Sequence, residues 1–284
     1  MNGIRYFVNG QPGDRVSAAE RALQYGDGLF ETIRVRHAAP EYLARHMQRL
    51  STGCERLQFP PLDRALVRRE LVELAGQQQD AVLKYTLSRG VSSRGYRFGP
   101  EPEVTRIAAV QPLPHWPSDP QQNGVRTRVC STRLATQPLL AGIKHLNRLE
   151  QVLARAEWTD ADIVEGLMLD RQQHLIEGTM SNIFIVNGRE LLTPELSGCG
   201  VAGVMRSVIL DLAAALGLPV RTAPVTMDDV SAGQEIFVCN SLIGIWPVVS
   251  VEGIGEFAVG RLTRRLQLAL QAGGNDDDGN WYIT

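Results

Sequence analysis

Ile4, Tyr6 and Val8 alternate with polar positions and run into Asn9-Gly10, so the chain is expected to open with a strand and a two-residue hairpin turn. Alternation returns at Phe30 to Val35, with Glu31, Ile33 and Val35 on one face and Phe30, Thr32 and Arg34 on the other. Leu43, Met47, Leu50, Cys54 and Leu57 then recur at three- and four-residue spacing, which predicts an amphipathic helix whose polar face carries Arg45, Gln48, Arg49 and Arg56. A second helix is expected over about 62–78. VLKYTLSRG and VTRIAAVQPL read as strands, separated by an arginine-rich loop over 90–102. Four prolines in the nine residues from Pro112 to Pro120 interrupt any regular pattern, and a domain boundary is placed there.

Beyond that boundary the pattern predicts a strand over 125–130, a loop holding Lys144, and a helix marked by Leu149, Val152, Leu153 and Ala156. Strands at 166–169, 182–186, 190–193, 219–222 and 235–239 interleave with a helix over 205–216, and a last helix spans 259–272. A turn is expected at Asp170 to His174. The alternation of short strands and helices predicts a mixed α/β (α+β) chain of two domains, 1–113 and 122–273, with a proline-rich linker over 114–121 and a polar tail over 274–284. Domain interfaces commonly hold cofactors, so one cleft between the two domains is the expected pocket.

Composition narrows the function classes. A net charge of −2 offers no electrostatic case for nucleic acid or an anionic membrane surface. No apolar run approaches the roughly 20 residues of a membrane span, and MNGIRYFVNG lacks the apolar core of a secretory signal, so a cytoplasmic protein is expected. Cys54, Cys130, Cys199 and Cys239 lie far apart without a Cys-x-x-Cys pair, which suggests neither a metal site nor a disulfide framework.

The candidate chemistry begins at Lys144. It ends an apolar, glycine-containing approach where a helix is expected to start, and the positive end of the helix dipole disfavours a cation there. Such a lysine would be a better nucleophile towards carbonyls. Gly200-Val-Ala-Gly203-Val-Met205 runs from a glycine-rich turn into a helix, a form suited to phosphate but common in its own right. Glu177, in LIEGTMSNIFIV, could keep a pyridinium nitrogen protonated or could be an ordinary loop carboxylate. Arg49 reads by periodicity as solvated. Arg89, Arg94 and Arg97 cluster around a glycine-rich loop and would suit an anionic substrate or mere solubility.

Together a lysine, a carboxylate and an anion cradle meet the needs of a pyridoxal phosphate site. The chain resembles the fold-type IV pyridoxal phosphate enzymes, which include branched-chain and D-amino-acid aminotransferases and aminodeoxychorismate lyases. The resemblance rests on YGDGLFET (25–32), HMQRL (46–50), SRGVSSRGY (88–96), AGIKHLNRLEQ (141–151), EGTMSN (177–182) and CNSL (239–242). The 141–151 run and the arginine loop look most like the lyases. The resemblance implies that Lys144 forms the Schiff base with pyridoxal 5′-phosphate and that Glu177 meets the ring nitrogen. It implies Arg49, the backbone N–H groups of Val204 and Met205, and Ser241 as phosphate ligands. It makes Arg89 and Arg94 candidates for substrate carboxylates, places Tyr25, Phe30 and Thr32 at the substrate, and implies a homodimer. Leu149 lies near the position where some aminotransferases carry a tyrosine for the ring hydroxyl. Arg94-Gly95-Tyr96 stands where D-amino-acid aminotransferases have Arg-Ala-His, which counts against them, whereas Glu31 is shared with aminotransferases and keeps that activity as the alternative. A protein that binds the cofactor or a metabolite without turnover is the third reading.

Overall fold

The computed structural model describes residues 3–92, 95–116, 119–275 and 281–282. Two compact units divide the chain at His115 and Trp116, inside the proline-rich stretch. They are not contiguous, since Ile143–Asn147 clusters with the first unit while the chain on either side belongs to the second. The expected 122–273 domain is therefore corrected over those five residues, for a reason in the backbone. Phe30 N–H donates to the Lys144 carbonyl at 2.9 Å and Leu146 N–H to the Gly28 carbonyl at 3.0 Å, so the segment pairs with a strand of the first unit.

The first unit contains β1 (Arg5–Val8), β2 (Gln11–Pro12), α1 (Arg21–Tyr25), β3 (Gly28–Arg36), β4 (Ala39–Pro40), α2 (Leu43–Arg56), α3 (Arg64–Gly76), β5 (Asp80–Ser88) and β6 (Thr105–Gln111). Its antiparallel six-stranded sheet has the order β2-β1-β6-β5-β3-β4. The Asn9-Gly10 turn has both residues at positive φ, 51° and 80°, the backbone a two-residue hairpin needs. Alternation along β3 holds as expected, with Glu31, Ile33 and Val35 buried and Phe30, Thr32 and Arg34 half-buried. Leu43, Met47, Leu50 and Cys54 face α2 onto that layer, and Asp63 caps α3 by accepting from Leu66 N–H.

The second unit contains α4 (Pro120–Asn123), β7 (Val125–Leu134), α5 (Leu149–Arg155), β8 (Ile163–Asp170), β9 (Leu175–Gly178), β10 (Asn182–Asn187), β11 (Glu190–Pro194), α6 (Val204–Ala215), β12 (Val220–Ala223), α7 (Met227–Ala232), β13 (Glu235–Asn240), β14 (Gly244–Val251), β15 (Gly255–Glu256) and α8 (Arg261–Ala272). Its sheet runs β12-β11-β10-β13-β14-β7-β8-β9, with β15 on β14. Three of these pairings, β11·β12, β14·β7 and β7·β8, are parallel. The central strands read as nearly unbroken apolar runs because both faces are covered, and Phe184 stacks on Phe237 at 5.0 Å within them. Pro120 begins a helix rather than ending the irregular stretch, since proline suits the first helical position and Asp119 caps it.

One expectation fails here, and α5 turns its apolar side chains outward. The apolar stripe of α5 does not enter a core: Leu149, Val152 and Leu153 are 75, 60 and 61 % exposed, and the helix packs inward through the small Ala154 instead. Lys144 is not at that helix's start, because α5 begins only at Leu149, so the dipole argument for Lys144 does not apply. Part of the expected polar tail, 276–280 and 283–284, lies outside the described residues.

Candidate active site

In the first unit Lys144 is partly buried, and its Nζ lies over the Phe30 ring, 4.5 Å from the centroid. Phe30 and Thr32 share one face of β3, and Lys84, cross-strand from Thr32, reaches the same ring at 5.3 Å. On the opposite face Glu31 is buried beneath α2. Its Oε1 accepts from Arg49 Nε at 2.8 Å, its Oε2 accepts from Arg49 Nη2, and His46 Nδ1 lies 2.6 Å from Oε2. Arg49 is thus only 12 % exposed, against the solvated reading from periodicity, because a buried anion on the neighbouring strand draws its guanidinium inward.

Burial alone would raise the Glu31 pKa, but Arg49 and His46 outweigh it and carry it from an ordinary 4.5 down to about 2. The folded chain therefore holds fewer protons than the unfolded chain between those values. Stability from this carboxylate is present above pH 4.5 and is lost as pH falls towards 2, on the order of 3 kcal/mol in all. Urea midpoints measured from pH 5 to 2 are expected to show that slope, and Glu31→Gln is expected to lose the Glu31 share of it. An unchanged slope in the variant would contradict the assignment.

Tyr25 ends α1. Its ring lies 5.3 Å from that of Tyr96, and its hydroxyl accepts from Gly95 N–H at 3.3 Å. Arg21, which the sequence reading did not single out, organises this corner. It donates to Asp27 Oδ2, Ser92 Oγ and the carbonyls of Gly95 and Tyr96, with its guanidinium 4.8 Å from the Tyr25 ring centroid. Arg89 is a correction. Expected at a substrate carboxylate, it is 3 % exposed, its Nε donates to Asp27 and its Nη atoms donate to the carbonyls of Gln58 and Leu57. The Phe59 and Phe98 rings lie 4.2 and 3.9 Å from its guanidinium. Its three nitrogens all donate within the fold, which argues against a contact with substrate. Burial would raise the Asp27 pKa, but Arg89 and Arg21 hold it below the ordinary range. Arg94 lies outside the described residues.

In the second unit Glu177 lies in β9, paired with Met168, and is not a loop carboxylate. It is 4 % exposed, its Oε2 accepts from Val201 N–H at 2.8 Å, and Gln151 Nε2 is 3.4 Å from Oε1. Burial lowers the Arg148 pKa, and the charges of Glu177 and Glu150 act against that. The turn after Glu177 is held by another carboxylate, Glu165, which is 1 % exposed. It accepts from Thr179 N–H and Oγ1, Ser181 Oγ, and the N–H groups of Gly166 and Met180.

Asn182, at the far end of that turn, orders the glycine-rich stretch. Its Nδ2 donates to the Val201 carbonyl at 2.9 Å and its Oδ1 accepts from Gly203 N–H at 3.1 Å. Gly203 caps α6 without any side-chain bond, so Val204 and Met205 open the helix with backbone N–H groups that have no intrahelical partner. A Cβ at Gly203 would lie 2.0 Å from Asn182 Oδ1, so the close approach requires glycine. This bare helix start fits a phosphate. Ser241 is partly buried in the turn between β13 and β14, where Asn240 Oδ1 accepts from the N–H groups of Leu242 and Ile243.

Arg21, Asp27, Glu31, His46, Glu165 and Asn182 are the residues that sequence reasoning gave no site role. GDG and SN mark turns, yet nothing local shows that Asp27 meets two guanidinium groups or that Glu165 holds the Glu177 turn, because these partners are distant in sequence.

Comparison with known proteins identifies the family and the fold. The Amino-transferase class IV family pattern matches residues 28–251. The chain is 39% identical over 266 residues to the aminodeoxychorismate lyase of Vibrio harveyi, covering 92% of this chain and 98% of that one. It is 29% identical over 280 residues to the D-alanine aminotransferase of Bacillus licheniformis, covering 94% and 96%. The crystal structure of 4-amino-4-deoxychorismate lyase from Pseudomonas aeruginosa matches with a TM-score of 0.91 at 47% identity, covering 94% of this chain and 98% of that chain. With both sheets, the buried Glu177 and the glycine-capped α6 described, the chain belongs to the class IV aminotransferase family and has the fold of the fold-type IV pyridoxal phosphate enzymes.

Proposed function

We propose that the protein is a pyridoxal phosphate-dependent lyase that converts 4-amino-4-deoxychorismate into 4-aminobenzoate and pyruvate, a step of folate biosynthesis. The observation that carries the lyase over a transaminase is the identity gap, 47% and 39% to two lyases against 29% to the D-alanine aminotransferase over comparable lengths. Tyr96 in place of that family's histidine points the same way.

Pyridoxal phosphate, when bound, supplies an aldehyde for the substrate amine and a ring that takes up the electrons of a broken C–H bond. In this reading Arg49, Ser241 and the N–H groups of Val204 and Met205 hold its phosphate, and Glu177 holds the proton on its ring nitrogen. Lys144 Nζ would be the amine that bonds the cofactor's aldehyde between turnovers, and once freed by substrate it would take the proton from substrate C4. As the neighbouring C–O bond breaks, Lys144 is placed to return a proton to the methylene carbon of the departing enolpyruvyl group, which leaves as pyruvate. Aromatisation of the remaining ring makes the elimination effectively irreversible, and return of the Lys144 amine to the aldehyde would free 4-aminobenzoate. Tyr25, Phe30 and Thr32 line the substrate, with Arg94 as the remaining candidate for a substrate carboxylate.

The exposed α5 stripe, together with Leu139 at 72 % exposure in the turn before Lys144, supports a homodimer that covers these side chains. Four free, buried cysteines fit a reducing cytoplasm. No helix among the described residues is long and apolar enough to cross a membrane.

The test is a product assay on cofactor-loaded protein, with substrate made in place by a partner synthase from chorismate and glutamine. Equal amounts of 4-aminobenzoate and pyruvate are expected. The opposing result is neither product, while D-alanine or a branched-chain amino acid converts the cofactor to its amine form.

A further inference from the structure

The Glu31–His46–Arg49 cluster is built more tightly than a surface ion pair, and the reaction above gives no role to two of its members. Glu31 and His46 are 2 and 1 % exposed, and burying a carboxylate is costly unless its lone pairs are met. Here both oxygens are met, and two of the three contacts go to Arg49 through its Nε and Nη2. A carboxylate that takes this edge fixes both the plane of the guanidinium and its rotation about the side-chain axis. His46 sits one turn before Arg49 on α2 and fixes the carboxylate in turn, through the 2.6 Å contact at Oε2. Its other ring nitrogen, Nε2, is buried and has no hydrogen-bond partner among the described residues, so the imidazole gains little there beyond its hold on Glu31. The charge of Lys144, from the segment paired to β3, also acts on His46.

We propose that Glu31 and His46 are positioning residues that hold the Arg49 guanidinium in the orientation that receives the cofactor phosphate. The inference rests on the reading of Arg49 as a phosphate ligand. It also assigns Glu31 a role apart from substrate choice: it faces α2, while Phe30 and Thr32 occupy the other face of β3. The glutamate shared with aminotransferases then belongs to cofactor binding and does not bear on which amine is processed.

The experiment compares pyridoxal 5′-phosphate with pyridoxal, which lacks the phosphate, by spectral titration of the cofactor-free protein and of Arg49→Ala, Glu31→Gln, His46→Leu and His46→Gln. Arg49→Ala sets the scale by losing the preference for the phosphorylated form. Glu31→Gln and His46→Leu are expected to weaken pyridoxal 5′-phosphate binding about ten- to a hundredfold, the loss typical when the partner orienting a ligand is removed. Pyridoxal binding should stay within about twofold, and His46→Gln, which can still donate to Glu31, should recover part of the preference. A merely structural pair would weaken both forms equally or neither, and either result overturns the proposal. If Arg49→Ala keeps the full preference, the phosphate reading itself fails. If Arg49→Ala loses it while the Glu31 and His46 variants keep it, only the positioning role fails. Glu31→Gln preserves shape, so should His46→Leu not fold, the Glu31→Gln ratio decides alone.

Discussion

Lys144→Ala is expected to abolish formation of 4-aminobenzoate and pyruvate, by about three orders of magnitude or more, because it removes both the cofactor's covalent partner and the group that moves the substrate proton. The loss should report chemistry and not folding. The segment is held to β3 through backbone groups, Phe30 N–H to the Lys144 carbonyl and Leu146 N–H to the Gly28 carbonyl, which alanine leaves in place. Unfolding midpoints of variant and parent without cofactor should accordingly agree. Lys84 offers a second amine near the Phe30 ring, so Lys84→Ala is the control, expected to change turnover by no more than about twofold. Should Lys144→Ala keep normal turnover, the assignment of the lysine is wrong. Should Lys84→Ala be the inactive variant, the two lysines have exchanged roles.

Glu177→Gln is expected to lower kcat by about 10²- to 10³-fold, the scale on which a single charge-stabilising group is lost from an active site. Glutamine keeps the shape and can still accept from Val201 N–H through its amide oxygen, so β9 and its pairing with β8 should survive. What it cannot supply is a negative charge to hold a proton on the ring nitrogen. The fall should therefore appear in kcat with little change in KM, as for an interaction made chiefly in the transition state. Glu177→Asp should recover part of the rate if the charge is what matters. Equal kcat in Glu177→Gln and the parent, with cofactor fully bound, would remove Glu177 from the chemistry.

The resemblance and the structure divide the account of the site between them. Lys144 was singled out from its sequence setting, but the reason offered, a helix start at the lysine, was wrong: the helix begins at Leu149, and Lys144 is held by pairing with β3. Periodicity placed Arg49 in solvent, and only the buried Glu31 on the adjacent strand turns it inward. The glycine-rich, basic loop left Arg89 open between an anionic substrate and mere solubility, and the resemblance made it a candidate for a substrate carboxylate. Its commitment to Asp27 and two loop carbonyls is a matter of distant partners that no local pattern reveals.

Where a property depends on neighbours a few residues away, the sequence by itself determined it. The hairpin at Asn9-Gly10, the buried face of β3, the apolar face of α2 and the glycine entry to α6 all follow from period-two or period-3.6 spacing and from backbone conformations that glycine and asparagine favour. The tertiary structure alone decided which polar side chains are buried and with whom. Glu31 with Arg49 and His46, Asp27 with Arg21 and Arg89, and Glu165 around the Glu177 turn join residues from separate elements. It also decided that the apolar stripe of α5 faces outward. The physical reason is one of range: spacing shows which face of an element is apolar, but the pairing of a buried charge is set by what the fold brings opposite it.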